Sequence, residues 1–216
     1  MRDPKYRISR ADIRQALGDK SWDLGNRFLY SMCRDHPHHA RSDEIIAKIW
    51  LIGRSYSAAI EQRKLEPETS EPCYITVVAP QIKRSDLRHW LGKIPRGLTA
   101  SDTTAPKAIS THKMTMDLFR TISGSNKRSL ASKYLHFHRP GLFFLYDRRS
   151  CQGIRLATPD VKHVHDKIEA PVFDKEYLRF YRRCLWLRNR IRREFRRSLS
   201  PRSIDKILLH VASKYS

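Results

Sequence analysis

The sequence predicts a mainly α-helical protein. Three observations carry that expectation. Apolar residues recur at steps of three and four in several segments, helix-starting residues stand just ahead of those segments, and the one short stretch with strand character, 74–79, has few partners to pair with. In chain order, residues 1–20 are polar and basic, with a short helix over 9–17 that Ser9-Arg10-Ala11-Asp12 can start. Ser21 precedes Trp22-Asp23-Leu24-Gly25-Asn26, and 26–33 reads as a second helix with Phe28 and Leu29 inward. His36-Pro37-His38-His39 reads as a loop; Pro37 breaks any regular ligand spacing and acidic neighbours are few, so no metal site is expected there. Ser42 is read as the N-cap of the clearest early helix, with Ile45, Ile46, Ile49, Trp50, Ile52 and Gly53 in helical register. That pattern runs to about Lys64, and Pro67 stops it.

Residues 65–74 form a turn-rich connection, and 74–79 is assigned to helix or loop. A helix follows over 85–91, then a loop rich in Pro, Gly and Thr over 92–107. Met114, Met116, Leu118 and Phe119 mark a helix over 112–122. A loop region is expected after Asp147, then a long helix over 174–197, where Tyr177, Tyr181, Cys184, Leu187, Ile191 and Phe195 recur and nine arginines cover the other faces. Pro201 breaks that pattern, and 204–211 forms a last helix. There is no internal repeat, and 1–216 is expected to form a single helical unit, as one domain or as two small lobes sharing a core.

Lys and Arg number 43 against 22 Asp and Glu, a formal charge of +21. Such a chain repels itself unless an anionic partner is present, so polyphosphate is the natural candidate. No apolar run approaches the ~20 residues of a membrane span, and no signal peptide is visible, which points away from membranes and to a cytoplasmic protein. Cys33, Cys73, Cys151 and Cys184 lie far apart, with no pair at ligand spacing. They read as reduced core thiols; neither a metal nor a cofactor is expected.

The most informative stretch is 122–147. One helix ends near Ile122, Gly124 permits a tight turn, and a second helix runs from about Asn126 to His138 before Pro140. The resulting helix, hairpin and helix span about 112–138. The hairpin exposes backbone N–H groups at a helix start beside Lys127 and Arg128, a setting that suits a phosphate.

This arrangement resembles the helix-hairpin-helix DNA glycosylase superfamily, whose members carry a glycine-rich hairpin, a helix, a proline-containing loop and then an aspartate opening the next helix. The resemblance implies a two-lobed helical fold, a double-stranded DNA partner with a modified base, a monomer, and Asp147 at the chemical centre. Gly124, Ser125, Asn126, Lys127, Arg128, Ser129 and Arg148 would contact DNA. In bifunctional members a catalytic lysine lies about eighteen residues before the aspartate; here that place is held by Ser129, as in the adenine glycosylases, so the resemblance implies a monofunctional enzyme. The departures are Gly124-Ser125-Asn126 in place of the usual Gly-x-Gly and the absence of iron–sulfur cysteines. The strings at 22–26, 52–56 and 131–138 further resemble prokaryotic anti-phage glycosylases that remove glucosylated hydroxymethylcytosine. Arg54 and Tyr56 fall where family members place residues that wedge into the duplex.

The chemistry is consistent on its own terms. Breaking an N-glycosidic bond builds positive charge on the sugar, and a carboxylate stabilises that cation and orients a water. Asp147 follows the apolar run Phe143-Phe144-Leu145-Tyr146, which excludes solvent; it also stands where a helix N-cap would. Ser129, Lys133 and His136 share one helical stripe, so Lys133 is a second catalytic candidate, as an imine-forming lyase, a base reader or a phosphate ligand. Trp22, Asp23, Asn26 and His136 are candidates for a base pocket, against ordinary packing and capping. The competing function is a non-enzymatic DNA-binding protein that uses the hairpin and the arginine-rich helix for backbone contacts.

Overall fold

The computed structural model describes residues 7–61, 73–159, 161 and 170–214. Among these there are ten α-helices and no strand. Helix α1 (Arg10–Gly18) begins with a reciprocal cap: the Ser9 hydroxyl accepts from the Asp12 N–H at 3.2 Å and Asp12 accepts from the Ser9 N–H at 2.8 Å. Helix α2 spans Asp23–Asp35, with Asn26, Leu29 and Cys33 buried. Phe28, expected inward, is 69% exposed, because helical spacing puts it on the face opposite Asn26 and Leu29.

Helix α3 (Ser42–Ser55) departs from expectation at both ends. Arg41, not Ser42, occupies the cap position, and the helix stops well short of residue 64. The chain turns back at Ser57, which adopts φ 49°, and the Ala58 N–H bonds the Gly53 carbonyl at 2.8 Å. A Cβ on Gly53 would lie 3.2 Å from the Ala59 Cα, so glycine eases this close return. The predicted continuation over 62–64 and most of the 65–74 connection lie outside the described residues.

A π-helical turn, Tyr74–Val78, runs into α4 (Ala79–Arg84), which resolves the strand-like stretch as helix. Helices α5 (Leu87–Gly92) and α6 (Ala105–Ser123) follow. Gly124, at φ 70°, ends α6, and α7 spans Arg128–His138. Helix α8 (Arg148–Ala157) stands where a loop was expected. Its sequence, RRSCQGIRLA, has little apolar periodicity, but Ser150, Gly153, Ile154 and Ala157 make one small buried face. That face lies against α10 (Pro201–Ser213) so closely that a Cβ on Gly153 would be 2.1 Å from the Leu208 carbonyl oxygen.

Helix α9 (Lys175–Phe195) starts at Asp174, which accepts from the Tyr177 N–H at 2.9 Å. The segment between α7 and α8 crosses the core: Leu142, Phe143, Phe144 and Leu145 are all buried. The hydroxyls of Tyr181 and Tyr177, on α9, donate to the Leu142 and Phe144 carbonyls at 2.9 and 3.1 Å, so this irregular backbone keeps its hydrogen bonds. Among the described residues no helix is long and apolar enough to cross a membrane.

Candidate active site

Asp147 sits at the end of that crossing segment. Its Oδ1 accepts from the Ser150 N–H at 2.8 Å and thereby caps α8, and its side chain is 29% exposed. It is both the helix cap and a carboxylate at the surface. Lys133 reaches it from α7: Nζ lies 3.3 Å from Asp147 Oδ2 and donates to Ser129 Oγ at 2.9 Å. The Lys133 side chain is only 2% exposed. Helical side chains lean towards the helix N-terminus, so an amine on residue 133 is delivered one turn back, beside Ser129. The stripe of Ser129 and Lys133 therefore does converge on Asp147.

Tyr56 closes this cluster. Its carbonyl accepts from Lys133 Nζ at 3.3 Å, and its ring lies 5.4 Å from Lys133 Nζ and 5.9 Å from the Arg202 guanidinium carbon. Its hydroxyl donates to Asn26 Oδ1 at 2.6 Å. Asn26 is buried, and its Nδ2 has no partner among the described residues. Arg202 donates to Asp205 Oδ2 at 2.7 Å, while its Nε is buried and likewise unpartnered among the described residues. Asp205 is wholly enclosed; burial raises its carboxyl to about 6, against the opposing pull of Arg202. The Ser150 hydroxyl donates to Asp205 at 2.9 Å while its N–H bonds Asp147, so one serine ties the two carboxylates together.

Several predicted site residues are engaged elsewhere. Lys127 Nζ donates to the Ala59 and Glu61 carbonyls at 3.0 and 3.1 Å, anchoring the return after α3. Arg128 makes a two-pronged pair with Asp174 at 2.5 and 2.8 Å and lies over the Tyr146 ring. Both cations of the hairpin are therefore engaged within the fold. Ser125 bonds locally with Ser123, and Asn126 is exposed. Arg54, its side chain half exposed, pairs with Glu61, which also accepts from the Tyr74 hydroxyl, and Tyr56 is inside the polar cluster.

His136 is also corrected. Its Nε2 bonds the Tyr30 hydroxyl at 2.6 Å and its Nδ1 the Phe143 carbonyl at 2.8 Å, and burial lowers it to about 3. A fully buried imidazole with both nitrogens engaged cannot read a base. Trp22 is 72% exposed on the surface, and Asp23 pairs with Lys206 at 2.8 Å. Arg148 is exposed next to Asp147.

Arg202, Asp205 and Ser150 were missed from sequence. The signal that could have found them is Ser200-Pro201, an N-cap and first-turn proline that start α10 early enough to include Arg202 and Asp205. No family model, no curated protein and no solved structure matches the chain.

Proposed function

We propose that the chain is a DNA glycosylase, a two-lobed helical unit that takes a modified base out of double-stranded DNA and hydrolyses its N-glycosidic bond. One observation carries the reading: a partly exposed carboxylate, Asp147, is held 3.3 Å from a buried ammonium, Lys133, at the end of a helix-hairpin-helix. The C1′–N bond breaks with its electron pair leaving on the base. The Asp147 carboxylate stabilises the sugar cation and takes a proton from the attacking water, whose oxygen bonds C1′; that proton ends on the departing base. Lys133 holds the carboxylate in place. Arg148, exposed beside it, can meet the flanking phosphate.

Asn26 and Arg202, both next to Tyr56, supply buried donors, unpartnered among the described residues, which suits recognition of a base by its acceptor atoms. A glucosylated hydroxymethylcytosine is the modified base that the sequence resemblance favours. The test is incubation with duplexes carrying plain, deaminated, oxidised or glucosylated bases, followed by alkaline cleavage. Wild-type protein is expected to leave abasic sites in one of these series and Asp147→Asn to leave none while still binding the duplex. Abasic product from both proteins, or from neither, overturns the reading. Borohydride trapping is expected to give no covalent adduct; an adduct that vanishes in Lys133→Ala would make the enzyme a lyase as well.

A further inference from the structure

With Lys127 and Arg128 engaged inside the fold, the backbone grip must come from other cations. We propose that the corner between α9 and α10 is a phosphate-binding site that takes successive phosphodiester groups of the strand feeding Asp147. The choice of DNA as ligand rests on the proposed function. Two cavities meet at this corner. One, of about 540 Å³, is lined by Trp186, Asn189, Arg192, Arg193 and Arg196. The other, of about 350 Å³, includes Arg188, Asn189, Arg192, Ser198, Ser200 and Pro201 in its lining. Asn189 and Arg192 belong to both, so the two form one continuous track.

Most of the cations along that track have no acidic partner among the described residues. Arg190, on a neighbouring face, is paired with Glu194 at 2.8 Å and stacked on Trp186. Arg192, Arg193 and Arg196 have no acidic partner among the described residues and are exposed. Three guanidinium groups within five residues repel one another, and planar forks of this kind match phosphate oxygens two at a time. Arg188 is held in the wall by donating to the Ala100 carbonyl. Burial lowers its pKa, but a guanidinium starts so far above neutrality that it keeps its charge, and the cavity wall is itself cationic.

Position ties the track to the candidate active site. Pro201 lines the smaller cavity, and the next residue, Arg202, reaches the Tyr56 ring and Asp205. Consecutive Cα atoms are about 3.8 Å apart, so the first turn of α10 has the arginine track on one side and the polar cluster on the other. A strand whose nucleoside enters at Asp147 therefore lies within reach of this corner.

The experiment measures binding of a short unmodified duplex by fluorescence anisotropy across a salt series. The variants are Arg192→Ala/Arg193→Ala, Arg196→Gly, and a control, Arg84→Ala/Arg88→Ala, which removes two exposed arginines elsewhere. Each phosphate that the protein no longer neutralises lowers the slope of log K against log salt by about 0.9. The double variant is expected to lower it by nearly 2 and to weaken low-salt binding at least tenfold; the control should leave both unchanged. Arg196 ends α9 at φ 56°, where glycine is unstrained, so Arg196→Gly should melt no lower than wild type yet neutralise one phosphate fewer. An unchanged slope in the double variant, or an equal fall in the control, overturns the proposal. Because the duplex carries no excisable base, a lowered slope in a protein that never releases base would sink the glycosylase reading alone.

Discussion

Acidification bears on four histidines that the fold encloses. His39, His112, His136 and His138 are all at most 5% exposed. Burial lowers His39 to about 2 and each of the other three to about 3, from an ordinary 6.5. His39 Nδ1, His112 Nδ1 and His138 Nε2 have no partner among the described residues, so a proton added there would be an uncompensated buried charge. Because the folded values lie below the unfolded one, the unfolded chain takes up protons first as pH falls through 6.5. The stability these groups contribute is complete above 6.5 and is lost from there down towards pH 3.

Each group costs about 1.4 kcal/mol for every pH unit below 6.5, and four together about 5 kcal/mol per unit. Asp205 opposes them, since its folded value of about 6 lies above the unfolded 3.8 and stabilises the acid form, but it is one group against four. Against a total stability of roughly 5–15 kcal/mol, cooperative unfolding is expected between about pH 5.5 and 3.5. Urea titrations followed by circular dichroism at half-unit pH steps measure this directly. The midpoint should fall steeply below pH 6.5, and His138→Asn should flatten the slope by about a quarter. A midpoint constant from pH 7 to 5 would refute the argument.

Three further outcomes follow from packing. Gly153→Ala should destabilise the protein by about 3 kcal/mol by thermal melting, because the added methyl meets the Leu208 backbone rather than a movable side chain. Arg128→Gln should cost about 2 kcal/mol through loss of its pair with Asp174, yet leave the salt dependence of DNA binding unchanged; a lowered slope would show that the hairpin cation does reach phosphate. In the native state Cys33 and Cys184 should resist alkylation until urea unfolds the chain, because both thiols are buried, with Cys33 pushed up to about 12, whereas half-buried Cys73 should label first, as read by mass spectrometry.

Much of the helical frame was legible in the residues themselves. The reciprocal cap of Ser9 and Asp12, the left-handed glycine at 124 and the apolar stripe of α9 are local features, and local backbone physics is written at spacings of three and four. Helix α8 was legible only at its start, where Asp147 stands as a cap; its body read as loop because its buried face is made largely of small and polar residues whose role appears only when α10 is laid on it. The end of α3 was misplaced for a related reason: apolar residues continue past Ser55, but the chain turns back to be held by Lys127.

By itself, then, the sequence determined that the chain is built of helices, that a hairpin joins α6 and α7, and that Asp147, Ser129 and Lys133 could meet. Tertiary structure decided how the charges are shared out. Lys127 is bound by carbonyls 66 and 68 residues away and Arg128 by a carboxylate 46 residues away, while Arg192 and Arg193 have no acidic partner among the described residues. Asp205, 55 residues beyond Ser150, joined the cluster the same way. Periodicity fixes the direction of a side chain about its own helix axis, but its partner depends on how two distant helices cross, and no local pattern encodes that.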